Sequence, residues 1–421
     1  MSLSSLPNLP VQPSRLQADL DALQVITDPD LPYTRPAFSD LDIQGRKWLK
    51  AQMENAGLEV HVDTAANLIG RRKGLSSKHP VIMMGSHIDT VRSGGRFDGI
   101  IGVLGALEVI RTLNDVGWTT QHDIEVVNFT CEEPNAFSIS PLGSKLMSGA
   151  VTAEQVRRAE LADGTTLSSL IDRLGGDHQN LEDVLRGTQD IHGYLELHIE
   201  QGPVLERKQI PLGVVTAIAA PLRATVTLSG VADHSGATMM NERYDALCAA
   251  AEVVLAVERL CGNPEITDTV GTIGHIEVSP NMVNIIPGLV ELRVDIRSTK
   301  QEFLDKLQGE FEAEVTRIAH RRSIEHDLSW TSIEEPVPIP NKMQQLVMEA
   351  CQDLGYPFEH LPSRAAHDAS RISDISPVGM IFVPCKDGKS HTPEEWANID
   401  DIARGTEVLG RSLLKLDAEL V

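Results

Sequence analysis

The sequence predicts an α/β protein: a discontinuous domain with an open mixed sheet flanked by helices, interrupted by a smaller α+β domain. Three observations carry this. Short apolar runs such as residues 81–84 end in polar, glycine-bearing loops and lead into helical patterns, the order of a sheet with helical crossovers. From Ala219 the order becomes strand, helix, two strands, helix, strand, which is the split βαββαβ or ferredoxin-like unit. After Pro336, Pro338 and Pro340 the first pattern resumes, so the expected domains are 1–218 with 332–421, and 219–331 inserted between them.

Taken in order, residues 16–59 carry helical patterning with proline breaks between 29 and 36 and a second helix over 39–56. Residues 58–63 and 66–72 read as a hairpin leading to the strand at 81–84. A core helix covers 99–113, and 123–130 is a strand ending at Cys131-Glu132-Glu133-Pro134. Residues 151–185 read as a polar helical insertion, and 193–200 as a third strand. The inserted domain reads as strand 223–231, helix 241–260, strands 269–278 and 289–297, helix 300–320 and strand 324–331. The tail reads as helix 342–354, strand 378–384, loop 386–393 and helix 399–416.

Composition narrows the function. The 421 residues carry a net charge of −23 with no basic block, which argues against nucleic acid and anionic membranes as partners. A small anionic substrate needs only one or two local cations and stays open. The five cysteines are scattered without a C-x-x-C pair, which favours a reducing compartment over a disulfide framework. Residues 1–15 lack the apolar segment of a signal peptide, and no run reaches membrane-spanning length. The expectation is a soluble cytoplasmic protein.

The chemistry gathers where strands end, which is where open α/β sheets bind ligands. His87 and Asp89 follow the strand at 81–84, and Asp98 precedes a helix that it otherwise merely caps. Glu132 and Glu133 follow the second strand, His198 lies in the third, and His391 follows the last. Each alone is more often structural than functional. Together they offer imidazoles and carboxylates for two divalent ions roughly 3.5–4 Å apart. Mixed nitrogen and oxygen ligation suits Zn²⁺, with Mn²⁺ an acceptable substitute. Adjacent glutamates at a strand end cannot point the same way, so one can ligate while the other acts as a general base.

These residues stand in recognisable motifs: Gly-Ser-His-Ile-Asp-Thr at 85–90, Gly-Gly-Arg-Phe-Asp-Gly at 94–99, and Glu-Glu-Pro-Asn-Ala-Phe at 132–137. Further on stand Leu-His-Ile-Glu-Gln-Gly at 197–202, Gly-Val-Ala-Asp-His-Ser-Gly at 230–236, Pro-Asn-Met-Val-Asn-Ile-Ile-Pro-Gly at 280–288 and Ser-His-Thr-Pro at 390–393. Over nearly its whole length the sequence resembles the hydantoinase/carbamoylase family of binuclear amidohydrolases, within the aminoacylase-like metallopeptidase superfamily. The run around His198 discriminates, because related peptidases usually carry a carboxylate there.

The resemblance implies that Asp98 bridges two metals, with His87 and His198 on one and Glu133 and His391 on the other. It implies Zn²⁺, or Mn²⁺, Co²⁺ or Ni²⁺. Asp89 is expected to orient His87, and Glu132 to be the base that deprotonates a water for attack on a ureido carbonyl. His234 resembles the oxyanion-stabilising histidine, and Asn284 with Arg297 the pair that grips a substrate carboxylate; for Arg297 a structural salt bridge is the competing role. Gln201 is expected to bond the ureido group, and Ala366 and His367 to line the site. The inserted domain is implied to be a lid that closes for turnover and forms a homodimer, with some substrate contacts from the second subunit.

One departure concerns the substrate. Where the family commonly has Ser-Gly-Ala-Gly-His-Asp-Ala, residues 363–369 read Ser-Arg-Ala-Ala-His-Asp-Ala, with Arg364 and Ala366 in place of glycines. A Cβ at Ala366 narrows the approach of the backbone and makes a left-handed conformation costly. The leading expectation is hydrolysis of an N-carbamoyl-L-amino acid to amino acid, CO₂ and ammonia. Allantoate or another ureido acid of purine breakdown is the alternative, followed by an aminopeptidase or dipeptidase, which His198 and the Arg297/Asn284 pair disfavour. A metal-dependent binding protein without turnover is the non-enzymatic alternative, and an intact Glu132 argues against it.

Overall fold

A computed structural model describes residues 6–419, so the first five residues of the expected first domain and the last two of its tail lie outside the described residues. In chain order the strands are β1 (Glu59–Val62), β2 (Leu68–Arg72), β3 (Val81–Ser86), β4 (Ile124–Asn128), β5 (Ile191–Ile199), β6 (Leu212–Ile218) and β7 (Ala220–Ser229). They continue with β8 (Thr269–Ser279), β9 (Leu289–Ser298), β10 (Glu325–Ile333), the two-residue β11 (Val337–Pro338), β12 (Phe358–Ser363) and β13 (Val378–Val383).

The chain divides into two units. One holds the residues up to Thr216, Ile339–Leu361 and everything from His367 on; the other holds Ala217–Pro338 and Pro362–Ala366. The second unit therefore starts two residues before and ends seven residues after the sequence-based limits of 219 and 331, and it gains a short piece of the tail.

In the first unit the sheet runs β1-β2-β4-β3-β5-β13-β6, with β12 also pairing β6. Its centre, β4-β3-β5-β13, is parallel throughout, and β1, β2 and β6 join antiparallel. Every residue of β3, β4 and β13 is buried, as a parallel strand covered on both faces requires. The helix Ile100–Asp115 packs on β3 and on the C-terminal helix Ile399–Ala418. It is apolar almost all round, which is why it lies inside rather than on the surface. Its buried Glu108 accepts Arg15 Nε at 2.6 Å, Arg15 Nη2 at 2.8 Å and Gln12 N at 3.0 Å. Ser39 caps the helix Asp40–Asn55 by accepting Asp42 N.

In the second unit the sheet order is β10-β7-β9-β8, antiparallel throughout. The helices Ala246–Cys261 and Gln301–Arg322 cover one face, so β9 alternates buried and less buried residues at period two. Val226, Leu292, Val253, Leu307 and Phe311 form the core, and each such side chain contributes about 1.5–3 kcal/mol by burial. The first helix starts at Ala246 rather than 241, because Asp245 caps it by accepting Cys248 N. Two strands of the first sheet, β6 and β12, have no counterpart in the sequence reading. Among the described residues no helix is long and apolar enough to cross a membrane.

Candidate metal centre

The four central parallel strands end on the same edge of the sheet, and each delivers polar side chains there. β3 ends at Ser86 and passes to His87; the following loop is pinned by the buried Arg35, whose Nε donates to Ile88 O at 2.8 Å and whose carbonyl accepts Thr90 N at 3.0 Å. The loop returns at Asp98 and enters its helix through Gly99, whose φ is +67°. A Cβ on Gly99 would stand 2.3 Å from His87 Nε2, so no other residue fits beside this imidazole. Past β4, Cys131 adopts a left-handed φ of 55° and turns Glu132 and Glu133 back over the sheet edge. β5 carries His198 as its penultimate residue, and His391, with φ 57°, stands in the loop after β13.

These residues converge. His198 Nε2 lies 3.1 Å and His87 Nε2 3.8 Å from Asp98 Oδ1, while His391 Nε2 lies 3.3 Å from Asp98 Oδ2 and 3.5 Å from Glu133 Oε1. Two sets result, His87–Asp98–His198 and Asp98–Glu133–His391, each with ligand atoms within 4.8 Å of one another and with Asp98 common to both. Glu132 Oε2 lies 3.6 Å from His87 Nε2 and belongs to neither.

The hydrogen bonds fix which nitrogens are available. His87 Nδ1 faces Asp89 O at 3.0 Å and His198 Nδ1 faces Ile199 O at 2.9 Å. A carbonyl oxygen only accepts, so both Nδ1 atoms carry hydrogen and both neutral rings present an Nε2 lone pair on the Asp98 side, where His198 Nε2 also accepts Gly99 N at 3.0 Å. Where His87 Nε2 meets the carboxylates of Asp98 and Glu132, acceptor thus faces acceptor in a buried site, a conflict that a cation or an added proton relieves. Two imidazole nitrogens with a carboxylate oxygen, and two carboxylates with an imidazole, are donor sets that fit Zn²⁺ or Mn²⁺.

The charge distribution expresses the same conflict. Burial opposes it, yet His198 and His391 hold the Asp98 carboxyl well below the usual range. Burial also opposes charge on His87, but Glu132 and Asp89 carry its imidazolium well above its ordinary pKa. The bond to Asp98 raises His391 to about 9. Burial, then the charge of Asp98, pushes Glu133 up to about 7, and burial lifts Glu132 well above its ordinary value.

The other residues singled out from the sequence take these places. Asp89 faces His87 Nδ1 with its main-chain oxygen at 3.0 Å and its carboxylate at 3.6 Å, and the same carboxylate accepts Glu132 N at 3.3 Å and Glu133 N at 3.2 Å and so also holds the glutamate pair. Gln201 Nε2 donates to Asp98 Oδ2 at 2.6 Å, and its Oε1 is buried without a protein partner among the described residues. His367 is buried edge-on against the His198 ring at 4.4 Å between centroids. Neither Arg364 nor Ala366 has a positive φ, so the two replacements of glycine carry no backbone strain.

The second unit brings together its own set. His234 bridges to Ile285, Ser235 N donates to Asn284 O at 3.0 Å, and both His234 and Asn284 are exposed on this paired turn. Gly236 N donates to His234 Nδ1 at 3.1 Å, which leaves the ring hydrogen on Nε2 as an outward donor. Arg297 makes the salt bridge weighed against its binding role: Nε and Nη2 donate to Asp295 at 2.8 and 3.2 Å, and Nη1 to Arg364 O at 3.3 Å. The Arg364 side chain reaches Asp268 at 3.6 Å.

Two buried carboxylates escaped the sequence reading. Glu196 accepts Ser86 Oγ at 2.7 Å, Tyr194 OH at 3.1 Å and Ala369 N at 3.1 Å. Although it clusters with His198 and His367, these donors fill its oxygens and make it a strut beneath the site. Its spacing of two from His198, on one face of β5, was a usable signal. Glu395, close to His391, accepts Phe97 N and Asp98 N.

Residues 83–415 match the family described as Peptidase family M20/M25/M40. The chain is 38% identical over 412 residues to an N-carbamoyl-L-amino acid amidohydrolase of Geobacillus stearothermophilus, covering 96% of this chain and 99% of that one. It is 36% identical over 425 residues to a ureidoglycolate hydrolase of Arabidopsis thaliana, covering 99% and 89%. A crystal structure of an amidase of the hydantoinase/carbamoylase family from Burkholderia multivorans superposes with a TM-score of 0.90 at 37% identity, covering 99% of this chain and 100% of that one.

Proposed function

Since the chain belongs to peptidase family M20/M25/M40 and, within it, to the hydantoinase/carbamoylase amidases, and is a hydrolase of C–N bonds other than peptide bonds, we propose that its substrate is an N-carbamoyl-L-amino acid. Hydrolysis of the ureido group consumes one water and releases the amino acid, CO₂ and ammonia. The observation that carries this reading is the pair of ligand sets sharing Asp98, with Glu132 beside them and outside both.

His87, Asp98 and His198 would hold one divalent ion, and Asp98, Glu133 and His391 the other. Such a pair supplies Lewis acidity, which polarises the ureido carbonyl and lowers the pKa of a water. Zn²⁺ is the favoured metal, with Mn²⁺, Co²⁺ or Ni²⁺ as substitutes. Glu132 takes the proton of the attacking water at its carboxylate and returns it to the leaving nitrogen; burial, which raises its proton affinity, suits both steps. The unpartnered, buried Gln201 Oε1 is an acceptor for a ureido N–H, and its amide nitrogen is already anchored on Asp98. His234 offers Nε2–H to the developing oxyanion. Asn284 and Arg297 bind the substrate carboxylate; Asp295 and Arg364 O engage three of the five guanidinium N–H groups and leave two. Ala366 and His367 complete the proposed substrate region.

The second unit acts as a lid and as the surface of a homodimer. Met239, Met240, Met282 and Val283 stand exposed around His234 and Asn284, with Val283 wholly so; sedimentation at graded concentration tests this. A cytoplasmic location agrees with five free cysteines. A second reading, another ureido acid such as allantoate or ureidoglycolate, draws on the Arabidopsis relative, which is nearly as similar as the first. The test is ammonia release from N-carbamoyl-amino acids, allantoate and ureidoglycolate, with dipeptides as controls, after chelation and restoration of Zn²⁺ or Mn²⁺. The proposal expects the carbamoyl-amino acids to turn over fastest; a preference for ureidoglycolate or allantoate replaces it with the second reading.

A further inference from the structure

Glu395 is 1% exposed, although it lies in the same loop as the half-exposed His391. Its Oε1 accepts two main-chain donors of the other strand-end loop, Phe97 N at 2.8 Å and Asp98 N at 3.1 Å. Its Oε2 lies 2.9 Å from Ser390 Oγ, which also lies 2.5 Å from Asp98 Oδ2. Asp98 is therefore held twice from one carboxyl group: at its backbone directly, and at its outer oxygen through Ser390. Gly95 makes the approach possible, since a Cβ there would stand 2.0 Å from the Glu395 carboxyl carbon. The neighbouring residues close the same seam. Arg96 Cζ lies 4.5 Å over the Trp396 ring, and Phe97 meets Trp396 edge-on at 5.8 Å.

We propose that Glu395, seated over Gly95, is a positioning residue that fixes the backbone of Asp98 directly and its Oδ2 through Ser390, and so couples the two metal positions. The inference rests on Asp98 being the shared ligand. Without Glu395, Phe97 N and Asp98 N lose their acceptor, and Asp98 is left with Ser390 and Gln201, which reach only its Oδ2. Asp98 can then satisfy one ion while missing the other. A glutamine preserves the arrangement: its carbonyl oxygen accepts the two N–H groups and its amide donates to Ser390 Oγ, which still donates to Asp98.

The test is Zn²⁺ binding to the full chain, stripped by chelation and titrated against a competing chromophoric chelator, with metal content by mass spectrometry. Wild type is expected to bind two ions; if it binds none or one, the shared-ligand reading falls and takes the inference with it. Glu395→Ala is expected to weaken at least one ion by roughly 10–100-fold, while Glu395→Gln stays within about threefold. Gly95→Ala should weaken binding like Glu395→Ala, and the double variant should be no worse than Glu395→Ala alone, because the three atoms nearest the added Cβ all belong to the Glu395 carboxyl group and are then gone. Asp417→Ala is the control for general loosening: Asp417 accepts Gln121 N and His122 N, both at 2.9 Å, in a comparable anchoring role elsewhere. It should lower the melting temperature and leave Zn²⁺ affinity unchanged. Wild-type affinity in Glu395→Ala, additive losses in the double variant, or an equal loss in Asp417→Ala would each overturn the proposal.

Discussion

His87, Asp98 and His198 are 2, 4 and 1% exposed, at the ends of parallel strands covered on both faces. His234 and Asn284 stand exposed on a paired turn of an antiparallel unit, and Arg297 lies half-buried at the end of one of its strands. In the first set nearly every ligand is oriented by a named bond: His87 by Asp89 O, His198 by Ile199 O, Asp98 by Glu395 and Ser390. In the second set His234 and Asn284 project from the turn, where His234 is restrained by Gly236 N, and only Arg297 is held by several bonds, to Asp295 and Arg364 O. The contrast assigns the two regions different work. A buried cluster of acceptors can hold cations and tune proton affinities but cannot adapt to a substrate, whereas an exposed turn can vary what it recognises without disturbing the chemistry.

That division can be broken experimentally, and the largest effect belongs to the buried set. Chelation should abolish ammonia release, and added Zn²⁺ or Mn²⁺ should restore it; activity surviving complete removal of metal, checked by mass spectrometry, would end the assignment. Glu132→Gln should lower kcat by roughly 10²–10⁴-fold with both ions retained. Undiminished turnover would remove Glu132 as the base. In the exposed set, His234→Ala should lower kcat by roughly 10²–10³-fold, the cost of one oxyanion donor, and leave metal content alone; a loss of metal would show that the regions are not separable. Arg297→Ala should raise KM for carboxylated ureides by roughly 10-fold or more, from about 1.5–3 kcal/mol of charged hydrogen bonding, and change uncharged amides little. Equal effects on both would leave Arg297 with only its Asp295 salt bridge. The smallest effect is expected from Asp245→Ala, which removes a helix cap and should cost about 1 kcal/mol of stability in thermal unfolding, with kinetics unchanged.

The fold was legible wherever the period of apolar residues was strong. The fully buried β3, β4 and β13 and the helix Ile100–Asp115 stand close to their expected limits. β6 was missed because Gly213 and Thr216 interrupt its apolar run, and β12 because Pro362 breaks its pattern. At the site, His87, Asp98, the Glu132–Glu133 pair, His198 and His391 could be singled out because each follows or ends a recognisable strand or opens a helix, whereas the role of each came from the family resemblance. Glu395 could not be tied to Asp98, because the contact joins positions nearly three hundred residues apart.

The sequence by itself determined the residue types and the elements that carry them: two imidazoles and four carboxyl groups at the ends of buried strands and the start of a helix, a histidine in the tail, and an inserted βαββαβ unit. Those follow from local periodicity and turn chemistry. Tertiary structure alone decided which oxygen or nitrogen each residue presents: that Asp89 faces His87 with both its main-chain oxygen and its carboxylate and holds Glu132–Glu133 with the latter, that Gln201 leans on Asp98, and that Glu395 fits over Gly95. Such choices depend on atoms meeting across the sheet edge within hydrogen-bonding distance, and no spacing along the chain encodes that meeting.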